Sequence, residues 1–269
     1  SLLDLPPGWS ALTAYLPDPE GRLAVEHRER RHARPVGWMI AGRIGARMDE
    51  IGPTTVRVAA PRGQSVQRVP MLALVRATLP VLQAEIPGIP AYLLILSADD
   101  PMWRGGLSAP NSLFLHASRP LISENGTSTL VHEMLHVVAP IPSRRDHDWI
   151  DEGIAEYLGL VALLRGRVIS EERFDHAIAT FRRRGADVDN MLTPVASGVI
   201  TARAVAIFHD LDVELRRRSP DGSDIFDLVR HMMEEKQPID IIRLRELAST
   251  LIGGAKVAAL APARVPEKP

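Results

Sequence analysis

The sequence contains no cysteine, which limits the kinds of site that it can build. Without thiols the chain forms no disulfide and no thiolate zinc site, so any metal must be held by histidines and carboxylates. The lack of cysteine leaves the compartment open. The chain begins at Ser1 rather than at a methionine. A removed leader would fit a protein of the cell envelope or a secreted one, and otherwise we expect the cytoplasm.

Aromatic residues and net charge are also scarce. Aromatic residues make up 4% of the 269 positions, and the net charge is −1. The chain therefore offers neither a stacking platform for nucleic-acid bases nor an overall attraction to nucleic acid or to an anionic membrane. No run of eighteen apolar residues occurs, so we expect no membrane span. The hydrophobic content of 45% is that of a globular protein with a real core. The oligomeric state is left open.

The spacing of apolar residues predicts an α+β chain with strands first and helices last. Short apolar or alternating runs predict strands at 11–16, 36–41, 54–60, 91–96 and 112–116. Helical spacing predicts helices at 68–86, 149–165, 170–184, 199–218, 223–236 and 239–252. We therefore divide the chain into a short β-rich region (1–66), an α/β region that contains residues 132–136 (67–166), a helical region (167–252) and a flexible tail (253–269).

The segment His132-Glu133-Met134-Leu135-His136 carries the strongest functional signal. Apolar neighbours predict a helix here, with an N-cap within 127–129 and an end at Pro140. On that helix His132 and His136 lie at i and i+4, so both imidazoles leave the same face. Two histidines with an acid beside them are what a hydrolytic zinc site needs. Two core histidines on a buried helix are the alternative, but that arrangement gives the acid no packing purpose.

The third ligand must come from another element, because a catalytic zinc site takes three protein ligands. Glu152, in Trp149-Ile150-Asp151-Glu152-Gly153-Ile154-Ala155-Glu156-Tyr157, is the best-placed acid on a helix-like segment. An exposed helix acid is the competing interpretation. His147, in the polar loop 144–148, is a rival third ligand. Zn²⁺ at this site would lower the pKa of a bound water and polarise a carbonyl, and Glu133 would act as general base.

A further carboxylate is needed because a ligating histidine usually donates its other ring N–H to an oxygen. Glu156 lies four residues after Glu152 on the same helix face, and we predict that it accepts this bond from His132. A surface salt bridge is the competing interpretation. Asp148 and Asp151 are weaker candidates.

The motif HEMLH followed by WIDEGIAEY resembles the gluzincin metallopeptidases, specifically the glycyl aminopeptidase family of thermolysin-like fold. Shorter similarities lie at Leu5-Pro6-Pro7-Gly8-Trp9, at Arg104-Gly105-Gly106-Leu107, which resembles the stretch before the edge strand of the active cleft, and at 204–216. The resemblance implies zinc-dependent hydrolysis of peptide or protein substrates. It implies His132, His136 and Glu152 as ligands and Glu133 as base.

The chain departs from the family pattern at three places. Ser108 stands where the family has a glutamate that faces the substrate amine. Thr201 stands where a tyrosine stabilises the oxyanion, and losing such a donor typically costs about 10²- to 10³-fold in rate. Arg203 or His209 could substitute for it. Fifteen residues separate His136 from Glu152, fewer than the family leads us to expect. Gly105, Gly106, Ser108, Thr201 and Arg203 are thus the candidate substrate and oxyanion region.

We therefore predict a zinc-dependent peptidase. The alternative is a catalytically impaired zinc-binding protein that acts as a peptide- or partner-binding module. The intact Glu133 favours the peptidase, since a pure binding site has no use for a base. The replacements at Ser108 and Thr201 favour the binding module.

Overall fold

The computed structural model describes residues 5–17 and 35–261. The described residues form two compact units. The first runs to Gln83 and includes Gly88–Leu121 and Ser128–Val138, and the second comprises Ala84–Pro87, Ile122–Thr127 and the chain from Ala139 onward. The four-region division made from the sequence stays a prediction, and residues 262–269 of its tail lie outside the described residues.

The first unit contains a two-stranded and a five-stranded sheet. Strands β1 (Ser10–Thr13) and β2 (Met39–Gly42) pair antiparallel. The larger sheet has the order β3-β4-β5-β7-β6. Its strands are β3 (Ile44–Ile51), β4 (Thr54–Pro61), β5 (Tyr92–Ala98), β6 (Gly106–Ala109) and β7 (Ser112–His116). The three central strands are parallel, while β3 and β6 lie antiparallel at the two edges.

The burial of each strand explains whether its apolar pattern predicts it. The continuous apolar run of β5 is buried along nearly its whole length, as expected for a central parallel strand. The apolar pattern does not predict strand β3, because its sequence IGARMDEI is buried only at its end residues, Ile44 and Ile51, and most of its middle is exposed. It pairs with a single neighbour, β4, and therefore needs little apolar surface.

One face of the large sheet packs against the small one. A buried cluster of sheet residues on this face includes Tyr92, Leu94 and Phe114. Leu12 of β1, Ile40 of β2 and Trp38, which directly precedes β2, pack on it. Helix α2 (Thr129–Val138) contacts β6 and β7. Helix α1 (Arg68–Glu85) continues through Pro80, and Gln83 ties it to the sheet by donating to the carbonyl of Ile51 at 2.8 Å.

The second unit is helical, which confirms the predicted α+β class with helices last. Its helices are α3 (Trp149–Arg165), α4 (Glu171–Arg184), α5 (Val199–Arg218), α6 (Ile225–Met233) and α7 (Ile241–Leu251). The bounds of α3 and α5 are those predicted. Side-chain caps begin three of these helices. The Ser170 hydroxyl accepts from the backbone N–H of Arg173 at 3.2 Å, and the carboxylates of Asp224 and Asp240 begin α6 and α7 in the same way. Across the described ranges, none of the helices has the length and apolar character that a membrane crossing requires.

Candidate metal centre

Helix α2 forms where the motif predicts it. Ser128 begins the helix, since its hydroxyl accepts a hydrogen bond from the backbone N–H of Val131 at 3.4 Å. The apolar side chains of the helix, Leu130, Val131, Met134, Leu135 and Val138, are all buried. His132 and His136 are only partly buried, as expected for side chains that leave the packed face of the helix.

The two histidines converge on one point. Their Nε2 atoms lie 3.2 Å apart, and the rings meet edge to face with centroids 4.8 Å apart and an interplanar angle of 81°. Two imidazole nitrogens bound to one tetrahedral zinc, each at about 2.0–2.1 Å, would lie about 3.3 Å apart. The same separation allows one ring to donate a hydrogen bond to the other. The distance is therefore compatible with a bound zinc ion and also with a direct hydrogen bond between the rings.

Glu152 completes a set of three ligand atoms. One atom each from His132, His136 and Glu152 lies within 4.8 Å of the others, and this is the single such group found among the residues described. Two imidazoles and one carboxylate are the donors that a hydrolytic zinc site uses, so these residues fit the ion. His147, the rival third ligand, does not belong to the group.

Close packing of α3 against α5 fixes the helix turn that carries Glu152. A Cβ atom on Gly153 would lie 2.5 Å from the Cβ of Ala204 and 2.9 Å from the ring of Phe208. Only glycine fits at this approach. One turn further along α3, the hydroxyl of Tyr157 donates to the buried carboxylate of Asp212 at 2.7 Å, and burial followed by the Asp212 charge raises the pKa of Tyr157. Both contacts hold α3 in register on α5.

Glu133 lies against the edge strand β6. Its side chain is 9% exposed. A Cβ atom on Gly106 would lie 2.6 Å from Cγ of Glu133, 2.7 Å from its Oε1 and 2.8 Å from Cγ2 of Thr129. The absence of a side chain at Gly106 therefore makes room for the Glu133 carboxylate. The sequence singled out Gly106 as part of the substrate region, and the contact with Glu133 is a feature that spacing could not reveal.

The substitution Gly106→Ala should displace Glu133 and destabilise the protein. Overpacking of this kind typically costs about 1–3 kcal/mol, which corresponds to a fall in Tm of roughly 2–12 °C for a domain of this size. Gly45→Ala on β3 is the matched control, since its Cβ would lie 3.3 Å from the nearest atom, the guanidinium carbon of Arg68, rather than 2.6 Å. Both substitutions reduce the conformational entropy of the unfolded chain by the same amount, so a difference between their Tm values reports on the folded state. Equal melting temperatures for the two variants in a thermal unfolding experiment would contradict the close approach.

Several solved zinc metallopeptidase structures have a similar fold. The M1 zinc metallopeptidase of Deinococcus radiodurans superposes with a TM-score of 0.63, at 16% identity over 97% of this chain and 62% of that chain. The chain has the fold of the M1 zinc metallopeptidases. A variant of the Deinococcus radiodurans enzyme bound to a Tyr-Ser-Ala substrate gives 0.61, at 16% identity over 96% and 60% of the two chains.

A third similar structure is an aminopeptidase N family protein of Idiomarina loihiensis. It has a TM-score of 0.55 and 15% identity over 72% of this chain and 41% of that chain. The chain thus spans about three-fifths of the length of the Deinococcus radiodurans structures and 41% of the length of the Idiomarina loihiensis structure. No protein-family profile and no curated protein matches the chain. The structural similarity supports a gluzincin-like fold. The glycyl aminopeptidase family, which the motifs HEMLH and WIDEGIAEY favour, stays a prediction.

The rival residues of the loop before α3 have other partners. His147 is fully buried, and its Nδ1 lies 2.8 Å from Oδ1 of Asp146. The Arg144 guanidinium, followed by His147, holds the pKa of the Asp146 carboxyl well below its usual value. Asp148 accepts a hydrogen bond from the backbone N–H of Ala196 at 2.7 Å. The structure therefore gives His147 and Asp148 roles in bracing this loop.

The remaining predicted residues occupy two places. Gly105 is buried just before β6, and Ser108 is exposed on β6. Thr201 and Arg203 are in the first turns of α5, where the backbone of Arg203 lies 2.5 Å from the Cβ position of Gly185. His209 lies further along α5, with its Nδ1 3.0 Å from Arg182. Glu156 lies on α3, one turn after Glu152. The functional roles assigned to these residues stay predictions.

Proposed function

We propose that the chain is a zinc-dependent peptidase that hydrolyses peptide bonds with Glu133 as general base. The observation that supports this most strongly is the meeting of ligand atoms from His132, His136 and Glu152 within 4.8 Å. The fold agrees, because similar structures are zinc metallopeptidases and one of them holds a Tyr-Ser-Ala substrate. Within this fold, HEMLH and WIDEGIAEY favour the glycyl aminopeptidase family.

His132, His136 and Glu152 would hold the zinc. When bound, the ion supplies a Lewis acid that polarises the scissile carbonyl. Glu133 takes the proton from the attacking water and passes it to the leaving amine. Its burial beside Gly106 restricts the carboxylate to a narrow space next to the edge strand. A base fixed in this way does not have to be reoriented during the reaction.

Strand β6 would align the substrate. It is the last strand in its sheet, and among the described residues no strand pairs with its outer side. An extended peptide can add to such an edge through main-chain hydrogen bonds. The Glu133 side chain lies against Gly106, which belongs to this same strand. A peptide bound along β6 would therefore pass beside the general base.

One observation favours a second candidate, a zinc-binding module that binds peptides or a partner and is catalytically impaired. Tyr157 is the last tyrosine of the chain, and Thr201 stands where the oxyanion donor is expected. Arg203 on the same helix could donate to the oxyanion instead. Cleavage at a low rate would be compatible with the peptidase, whereas no cleavage at all would favour the module.

Metal dependence of peptide cleavage tests the proposed function. The protein is treated with a chelator, divided, and one part is reloaded with zinc; both parts are then incubated with a peptide library and the products are identified by mass spectrometry. We expect cleavage in the reloaded part only. A zinc-loaded protein that binds peptides but cleaves none would leave the binding module as the better assignment.

A further inference from the structure

The register of the β6–β7 pair shows which backbone groups of β6 point outward. The N–H of His116 donates to the carbonyl of Gly105 at 3.0 Å, so these two residues form a hydrogen-bonded pair. Such pairs alternate along antiparallel strands, and Leu107 opposite Phe114 is the next one. Gly106, between these two pairs, and Ser108, directly after the second, therefore belong to the non-hydrogen-bonded pairs with Leu115 and Leu113. Their N–H and C=O groups therefore point away from β7, toward the open side of β6.

The two faces of β6 differ in character. The Cβ position of Gly106 faces α2 and Glu133, and Ser108 shares that face because side chains alternate along a strand. Gly105 and Leu107 share the opposite face. There the indole of Trp103 covers Gly105, with its Cε2 atom 2.9 Å from the Cβ position. Leu107 lies opposite Phe114, on the face that packs against Trp38.

The face opposite α2 carries exposed apolar side chains beside the open edge. Trp103 is 65% exposed and Leu107 is 44% exposed. The Nε1–H of Trp38 donates to the carbonyl of Leu107 at 2.9 Å, which fixes this indole beside the strand. We name the surface formed by Trp38, Trp103 and Leu107 the tryptophan ridge. Apolar and aromatic side chains that are exposed side by side are typical of binding surfaces.

We infer that the tryptophan ridge is a binding subsite for large apolar side chains of an extended peptide that adds to β6 as a further strand. The inference deepens the proposed function and rests on it, because it names a substrate class for the same site. The outward amides of Gly106 and Ser108 would bind the peptide main chain in a way that is independent of its sequence. The ridge would then supply the sequence preference.

The geometry defines which peptide side chains the ridge would contact. Residues on an added strand alternate between the two faces, so side chains two residues apart lie on the same face. Gly105 and Leu107 are also two residues apart, and directly opposite side chains across a strand pair have Cβ atoms about 4.5–5.5 Å apart. A peptide with two apolar residues separated by one residue would therefore contact Trp103 and Leu107 together. The intervening side chain would point toward the α2 face and Glu133.

Peptide binding to chelator-treated protein tests this inference without relying on cleavage. Two blocked, fluorescein-labelled nonapeptides of identical composition are compared by fluorescence anisotropy, one with a central Phe-Ser-Phe segment and one with Phe-Phe-Ser. We expect the first to bind about ten- to hundredfold more tightly, which is the ratio for one further buried phenylalanine. The advantage should vanish in Trp103→Ala and persist in Trp103→Phe.

The matched control is Met48→Ala, which removes an exposed apolar side chain (55% exposed) from β3 at the other edge of the same sheet. It should leave the ratio of the two affinities unchanged.

Equal affinities of wild type for the two peptides, or an unchanged ratio in Trp103→Ala, would overturn the inference. So would sedimentation data in which wild type is a dimer that Trp103→Ala dissociates, since a second copy of the chain would then occupy the ridge. If the ridge binds as expected but the zinc-loaded protein cleaves nothing, only the proposed peptidase activity fails.

Discussion

Glu133→Gln is expected to abolish peptide cleavage and to leave the metal in place. Glutamine has nearly the shape of glutamate, so it should fit the space beside Gly106. Its amide cannot accept the proton of the attacking water. Loss of a positioned general base typically lowers the rate by about 10²- to 10⁴-fold. Because His132, His136 and Glu152 are unchanged, zinc content by elemental analysis should equal that of the wild type.

The control for this variant is Glu50→Gln, the same chemical change at an exposed position on β3. It should have no effect on cleavage rate or on zinc content. Single-turnover cleavage of one identified peptide would be followed for all three proteins. A Glu133→Gln protein that retains zinc and cleaves at the wild-type rate would remove Glu133 from the mechanism, and Asp151 or Glu156 would then have to be tested as the base.

Local patterns were sufficient to predict the helix that carries the motif. The i and i+4 spacing of His132 and His136 follows from helix geometry alone, and the structure brings their Nε2 atoms to 3.2 Å. The helix-like segment around Glu152 and the resemblance of WIDEGIAEY to the gluzincin pattern predict Glu152 as a ligand, and its carboxylate lies in one group with the two histidines. Its membership in the group depends on tertiary structure, which spacing along the chain does not determine.

Features that depend on the approach of distant segments could not be predicted. The contact of Gly106 with Glu133 joins a strand and a helix that are separated by more than twenty residues. The Trp38 hydrogen bond to Leu107 spans an even longer stretch of chain. Strand β3 escaped prediction for a different reason, since an edge strand with an exposed middle lacks the alternation by which strands are recognised.

The outcome for His147 shows why residue type alone is a weak guide to ligation. Histidine in a polar loop beside a candidate site resembles a ligand in the sequence. In the structure the His147 ring is buried, and its Nδ1 lies at hydrogen-bonding distance from Asp146. The backbone N–H of His147 also donates to the backbone carbonyl of Arg144 at 2.7 Å. These contacts join His147 to the loop that leads into α3.

His136→Ala should remove the metal, because only His132 and Glu152 of the three candidate ligands would remain. Elemental analysis of protein purified without chelator should give about one zinc per chain for wild type and close to none for the variant, as expected for a site with three protein ligands. The matched control is His176→Ala, which removes an exposed histidine from α4. It should retain the wild-type zinc content.

Thermal unfolding supplies a second readout that does not depend on activity. A metal that binds only the folded state stabilises it by about 4 kcal/mol at a thousandfold excess over Kd, which raises Tm by roughly 8–16 °C for a domain of this size. Chelation should therefore lower the Tm of wild type and of His176→Ala, and leave that of His136→Ala unchanged. If His136→Ala kept its zinc and its response to chelator, the ion would be held elsewhere, and the assignment of this ligand would be wrong. If neither wild type nor His176→Ala held zinc even after reconstitution, the hydrogen bond between the two rings would explain the histidine pair. Both zinc-dependent assignments would then fail, and a module that binds peptides without a metal would remain.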